Sequence, residues 1–280
     1  MNRVRRSTTP SRPAPEREAG PEGDRQFVTA LARGLTILGC FSPARPEIGG
    51  SELAALTGLP QPTVWRLCHT MIRQGFLVPV NGDKLRPGIP ILQLGRAVLA
   101  GIPLAERAQA RMQALANRFG SATGLGARDE NRMVFVQRCL SDAQLLMNLR
   151  IGSRLPLATS AVGWGLLSGY EEAERAELIE RHAAPDPRWQ KAEPEFRRTL
   201  QDYATQGFIT NLGAFHQGYN TAAAPVFGPD GRPAFALSCG GSAVTHTPAF
   251  LRREVGPEVV RLAVTLEAEL GGRRPKTEPR

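Results

Sequence analysis

Residues 58–76 read GLPQPTVWRLCHTMIRQGF, and the fold turns on what kind of helix this is. Pro62 suits the first turn, where its missing N–H costs nothing, with Gln61 near the cap. Val64, Leu67, Cys68, Met71 and Ile72 recur at helical spacing and mark a buried side, while Gln61, Thr63, Arg66, Thr70 and Arg73 tend to the other. Two readings fit that pattern: an ordinary core helix, or a helix pushed end-first into a groove of DNA. The flanks separate them. Upstream, "QFVTALARGLTILGCF" sets Phe27, Leu31, Leu35, Leu38 and Phe41 on one apolar stripe, and Ser51 offers an N-cap hydroxyl to "ELAALTG", whose Leu53, Ala54 and Leu56 face inward before Gly58 ends it. Downstream, "FLVPVNGDKLRPG" holds two short extended runs around Asn81-Gly82, a strong hairpin signal. Helix, helix, helix, hairpin predicts a winged helix-turn-helix over residues 25–90.

Charge agrees with that division. The chain has 280 residues and a formal charge of +9, long enough for two modest domains. Residues 25–92 carry seven Lys/Arg against three Asp/Glu, whereas residues 93–270 are nearly neutral. A basic module beside a neutral one implies that only the first meets a polyanion. Residues 1–24, rich in Pro, Arg, Ser and Glu, lack the apolar side chains needed to offset the entropy of ordering and are expected to be a disordered leader. Residues 273–280 are expected to form a disordered basic tail.

In a helix-turn-helix the second helix enters the major groove and its N-terminal side chains face base edges. Gln61 can pair bidentately with adenine, Thr63 can reach a phosphate, a base or a thymine methyl, and Arg66 is one turn on for guanine or phosphate. Thr70 and Arg73 continue that side, and Lys84 and Arg86 on the hairpin are placed for salt-sensitive, sequence-independent contacts. Arg33 and Ser51 complete the expected DNA-binding set. Trp65 is expected at the domain core or a flank in preference to the alternative, a contact with DNA. A winged helix that docks protein instead of DNA remains the alternative, separable by salt-dependent affinity for duplex DNA.

Beyond the hairpin, residues 91–103 read as a linker helix, apolar enough to help dimerise, with a second helical run after Gly101–Pro103. Residues 104–272 are expected to form an α+β sensor-like domain. "LGARDENRMVFVQRCL" and "AQLLMNLRIGSRLPL" look like strands, "SAVGWGLLSG", "EEAERAELIERHA" and "EPEFRRTLQDYATQG" like helices, and "NTAAAPVFGPDGRPAFALSCGG" like a hairpin before a final helix.

Enzyme chemistry finds little support. Ser160, and Cys139 with His182, lack a GxSxG elbow or a local cysteine-nucleophile motif. There is no HExxH, no phosphate-loop GxxxxGK[ST] and no strand-anchored GxGxxG, so neither a metal nor a cofactor is expected. Cys40, Cys68, Cys139 and Cys239 show no ligand or disulfide spacing and read as reduced core thiols. With no signal-like segment and no run of about 18 apolar residues, a soluble cytoplasmic protein without membrane contact is expected.

The segments "RGLTILGCF", "GLPQPTVWRLCHTMIRQGFLV", "PGIPILQLGRAVL", "IGSRLPLATSAVGWGLLSG", "GFITNLGAFHQGYNTAAAPVF" and "GRPAFALSCGGSAVT", in that order over residues 25–270, resemble the IclR family of bacterial transcription regulators. The resemblance implies a winged-helix DNA reader joined by a helix to a GAF-like effector domain, homodimers or homotetramers, and a palindromic operator in double-stranded DNA. It also implies control of a catabolic operon in response to a small organic or aromatic acid, with RNA polymerase as a partner if the protein activates. Carried onto this chain, the implied effector-binding residues are Leu155, Ala161, Val162, Asn211, Tyr219, Thr221, Ser238 and Gly240. The same positions equally suit satisfied turn and strand residues. The pattern departs at Trp164, where lysine is common, at Asn211 and Ala214, where Asp and Glu are common, and at polar Thr221. Those departures argue against transferring any known ligand.

Overall fold

A computed structural model describes residues 26–142 and 147–275. The expected disorder of residues 1–24, and that of residues 276–280, lies outside them. The chain divides between Val98 and Leu99 into two compact units.

The N-terminal unit holds α1 (Thr29–Leu38), β1 (Ile48–Gly49), α2 (Gly50–Thr57), α3 (Gln61–Arg73), β2 (Leu77–Pro79), β3 (Lys84–Pro87) and most of α4 (Ile89–Ala100). Its core is Ile37, Ile48, Leu53, Val64, Cys68, Leu77 and Leu85 with Cys40. Gly58 ends α2 in the left-handed conformation at φ 67°, and Gly82 turns the β2–β3 hairpin at φ 77°. Ile48–Gly49 pairs antiparallel with Leu85–Lys84, so the wing is a three-stranded sheet in the order β1-β3-β2.

The structure refines three of the readings made from the sequence. Ser51 is not an N-cap: Gly49 holds that position, and Ser51 lies inside the first turn, where its hydroxyl accepts from Gln61 Nε2 at 3.2 Å. The apolar stripe of α1 meets the core only at its end, where Leu38 and Phe41 pack against it. Ile37 is the buried residue of that helix, and Leu31 and Leu35 are 62% and 52% exposed. Periodicity reports that a stripe exists, and it cannot say whether the stripe packs on its own chain. Nor is Trp65 core, because its indole is 62% exposed.

The C-terminal unit adds α5 (Pro103–Phe119), β4 (Ala122–Asp129), β5 (Arg132–Leu140), β6 (Arg154–Pro156), α6 (Ala161–Ser168) and α7 (Glu172–Leu178) with a π turn over Ile179–Ala183. It continues through α8 (Trp189–Gln206), β7 (Ile209–Leu212), β8 (Tyr219–Phe227), β9 (Pro233–Ser242), α9 (Pro248–Phe250), a second π turn and α10 (Gly256–Leu270). The strands form one antiparallel sheet ordered β6-β5-β4-β9-β8-β7. Alternation along β8 shows how it is covered. Ala222, Ala224 and Val226 face α5 and α10, while Ala223 faces α6. Part of the extended run expected before "LPL", residues 143–146, lies outside the described residues, and in the described part strand is confined to β6, while β7 is a strand that hydropathy alone did not announce.

Arg273 and Arg274, which fall in the expected tail, make contacts with the rest of the unit. Glu267 is buried and needs a partner; Arg274 donates to its Oε1 at 2.8 Å and lies over the Phe227 ring, while Arg273 N–H donates to Gly228 O. Among the described residues no single helix is long and apolar enough to cross a membrane.

Candidate functional site

The N-terminal unit exposes basic side chains on α3, on the wing and on α1. On α3, Gln61, Arg66, Thr70 and Arg73 are exposed and Thr63 is half-buried, opposite the buried Val64 and Cys68. The helix QPTVWRLCHTMIR contains no acidic residue. Gln61 spends one amide hydrogen on Ser51 Oγ, which ties α3 to α2 and orients the side chain; a second hydrogen and the carbonyl remain. Thr70 donates back to Arg66 O at 3.0 Å, so its methyl is the part held outward. On the wing, Lys84 and Arg86 are both exposed and flank buried Leu85, which places them on one side of β3. Arg33 is exposed on α1.

The C-terminal unit encloses a cavity between the sheet and the start of α6. It is lined by Leu155, Ala161, Val162, Asn211, Tyr219, Thr221 and Ser238 of the expected set. Gly240 is not among the lining residues and lies beneath instead: its carbonyl accepts from Tyr219 OH at 2.7 Å, and a Cβ there would come 2.5 Å from Asn220 O and Thr221 Oγ1. The lining also includes Phe135, Arg138, Met147, Leu149, Phe215 and His216, which sequence reasoning missed. The enclosed space is about 30 Å³, room for water rather than for an aromatic ring, so any larger ligand moves a wall side chain.

Local folding explains the arrangement. Ser160 caps α6 by accepting from Gly163 N–H at 3.1 Å, which sets Ala161 and Val162 at the cavity. Trp164, where the family commonly has lysine, points away from solvent, donates from Nε1 to Ala158 O at 2.8 Å and packs on Phe196. Gly163 and Gly165 on either side permit close approach, because a Cβ at Gly163 would lie 2.3 Å from Leu157 O.

Most cavity donors are already engaged. Asn211 Nδ2 donates to Thr159 O at 3.0 Å and Ser238 Oγ to Gly124 O at 3.2 Å. Two polar atoms are left buried and without a partner: Arg138 Nε and Thr159 Oγ1. The Arg138 guanidinium lies 4.9 Å over the Phe135 ring, and burial pushes the Tyr219 phenol up, opposed by the nearby Arg138 charge. A cation with an unmet donor at an aromatic-walled cavity can anchor a carboxylate.

A larger cleft of about 550 Å³ opens between α7 and α8. Its two arginines are engaged within the unit, Arg197 with Glu193 at 2.6 Å and Arg175 with Tyr170 O at 2.7 Å, so for an anion the smaller cavity is the better candidate. The nucleophile candidates also resolve as structural groups. Cys139 donates to Gln109 O and burial pushes its thiol up, the reverse of an activated thiolate.

Two family descriptions match the chain: an IclR helix-turn-helix domain over residues 30–80 and a bacterial transcriptional regulator IclR C-terminal domain over residues 96–261. The chain is 30% identical over 254 residues to the HTH-type transcriptional regulator TsaQ1/TsaQ2 of Comamonas testosteroni, covering 89% of this chain and 91% of that protein. It resembles the crystal structure of an IclR family transcriptional regulator from Brucella abortus, with a TM-score of 0.77, 34% identity, and coverage of 90% and 97% of the two chains. It shares its fold with an IclR homolog from Microbacterium hydrocarbonoxydans complexed with 4-hydroxybenzoate, at a TM-score of 0.69, 22% identity, and coverage of 86% and 98%.

Proposed function

The chain belongs to the IclR family of bacterial transcriptional regulators, proteins that bind DNA and are not enzymes, and we propose that it binds a palindromic operator of a catabolic operon under the control of a small organic acid. The observation that carries the DNA half is the exposed, acid-free face of α3 beside Lys84 and Arg86 of the wing. Such a face supplies side chains to base edges and cations to the phosphates on either side. Gln61, Thr63 and Arg66 are assigned to the bases, and Arg33, Ser51, Thr70, Arg73, Lys84 and Arg86 to the backbone and groove walls.

A palindrome requires two readers related by a twofold axis. The exposed leucines of α1, with exposed Leu92 and Val98 on α4, are apolar surface that a second copy would cover, which supports a homodimer through the N-terminal units.

The effector is a carboxylate in the cavity of the C-terminal unit, with Arg138 as its anchor, Phe135 and Phe215 as apolar walls, and Asn211, Thr221, Tyr219 and Ser238 fixing its orientation. The relative complexed with 4-hydroxybenzoate carries an acid of this class, which makes that molecule a sensible probe. Asn211, in place of an acidic residue common in the family, leaves the cavity lining without a carboxylate and so more receptive to an anion.

A gel shift tests both halves. The purified full chain is titrated onto the intergenic duplex beside its own gene, against competitor DNA, with and without a panel of carboxylic acids that includes 4-hydroxybenzoate. A specific shift that one acid alters supports the proposal. Absence of any duplex binding, even non-specific binding at low salt, favours a winged helix that docks protein.

A further inference from the structure

The large side chain most at odds with its surroundings is Trp65, with 62% of its surface open to water on the exposed side of α3. Tryptophan offers one of the largest apolar surfaces of any residue, and a small three-helix unit ordinarily spends it on the core. Here the core of that unit closes without it, around Val64 and Cys68 of the same helix.

Its neighbours show what could cover it. Gln61, Trp65 and His69 are spaced by four and form a row along α3, with Arg66 and Arg73 beside them. His69 meets the indole edge-on, ring centroids 5.5 Å apart at 71°, which holds the ring in one orientation. No carboxylate occupies the helix, and the charged side chains that α3 itself carries are basic. That charge complements nucleic acid and disfavours an acidic protein partner. An ordered aromatic plate in such a setting suits a base edge, and the thymine C5-methyl is the apolar group exposed in the major groove.

We infer that Trp65 is a sequence-reading residue of the α3 helix, its indole packing on a thymine methyl in each half-site while His69 holds the ring in place. The inference rests on the operator-binding reading above and adds to it a specific chemical contact, van der Waals packing on one methyl group. Gln61 and Arg66 then read the flanking base pairs by hydrogen bonds.

The test uses the full chain and a duplex recovered by it from a random-sequence pool. Affinities of the wild type, Trp65→Ala and Trp65→Phe are measured by fluorescence anisotropy, on that duplex and on copies in which each thymine in turn is replaced by deoxyuridine, which lacks only the methyl. One thymine per half-site should prove methyl-dependent for the wild type and indifferent for Trp65→Ala, with Trp65→Phe intermediate. Trp65→Ala should lose at least about fivefold affinity for the recovered duplex and keep its affinity for an unrelated duplex. Equal binding by Trp65→Ala, or an unchanged deoxyuridine pattern, overturns the inference. So does a loss confined to oligomerisation by sedimentation, which would assign the indole to a second copy. Recovery of no duplex by the wild type defeats the operator reading itself, and is thereby distinct from failure of the Trp65 contact alone.

Discussion

Arg138 and Arg66 are chemically alike and do different work because their surroundings differ. Arg66 stands exposed on a helix with no acidic neighbour, so its charge is available to a partner at little desolvation cost. Arg66→Ala should weaken operator binding by about 1–3 kcal/mol and relax selectivity at one base pair; binding isotherms on single-base operator variants check both. Arg138 instead has a buried Nε with no partner, and leaving such a donor unmet costs on the order of 1–3 kcal/mol. A carboxylate satisfies it. Arg138→Met should therefore abolish the response to an acid effector, leave effector-free operator affinity within about twofold, and leave stability unchanged or raised; titration calorimetry with the acid, beside a gel shift, separates these. Gly163 is constrained sterically. Gly163→Ala forces a Cβ against Leu157 O and should cost about 1–3 kcal/mol, read as a lowered thermal midpoint of the full chain.

A single irregularity in one strand explains why Arg138 was not legible in the sequence. Strict alternation along β5 would put Phe135 and Gln137 on one face and Arg138 on the other. The register instead slips at Leu125/Gly126, where Leu125 faces Gln137 but Gly126 faces Phe135, leaving Val136 as an extra residue. Val136 packs toward α5, Gln137 donates to Ala105 O on the same side, and Arg138 returns to the side of Phe135. Nothing in "MVFVQRCL" marks that bulge. By contrast Pro62, Gly58 and Asn81-Gly82 act through local backbone preference, and the helix, its stop and the wing they announce are where the sequence puts them. The α1 stripe is a third kind of case, visible in sequence with its destination hidden, because nothing among the described residues covers Leu31 and Leu35. If that surface is a second copy, Leu31→Lys with Leu35→Lys should convert a dimer to a monomer with the helical content retained. Analytical ultracentrifugation and circular dichroism report the two halves of that expectation.

At the scale of the molecule, the charge contrast between a basic N-terminal segment and a neutral remainder identified which unit meets DNA. Six segments in family order carried the fold, because the order of elements survives substitutions that alter any one of them. The candidate cavity was legible in its frame, from Leu155 to Ser238, while Arg138 at its wall was not, since the frame follows sheet and helix positions and the place of Arg138 depends on the bulge. Coupling the two units requires only that the acid bind the DNA-competent and DNA-incompetent forms with different affinity.

The measurement that bears most directly on operator binding is the salt dependence of the full chain's affinity for its duplex. Arg33, Arg73, Lys84 and Arg86, the side chains assigned to the backbone, set four cations per copy against phosphates. The logarithm of affinity should then fall against the logarithm of salt with a slope of about −7 for a dimer or about −4 for a single copy. A slope near zero, or affinity for duplex DNA too weak to detect at low salt, would contradict a DNA-reading role for the winged helix.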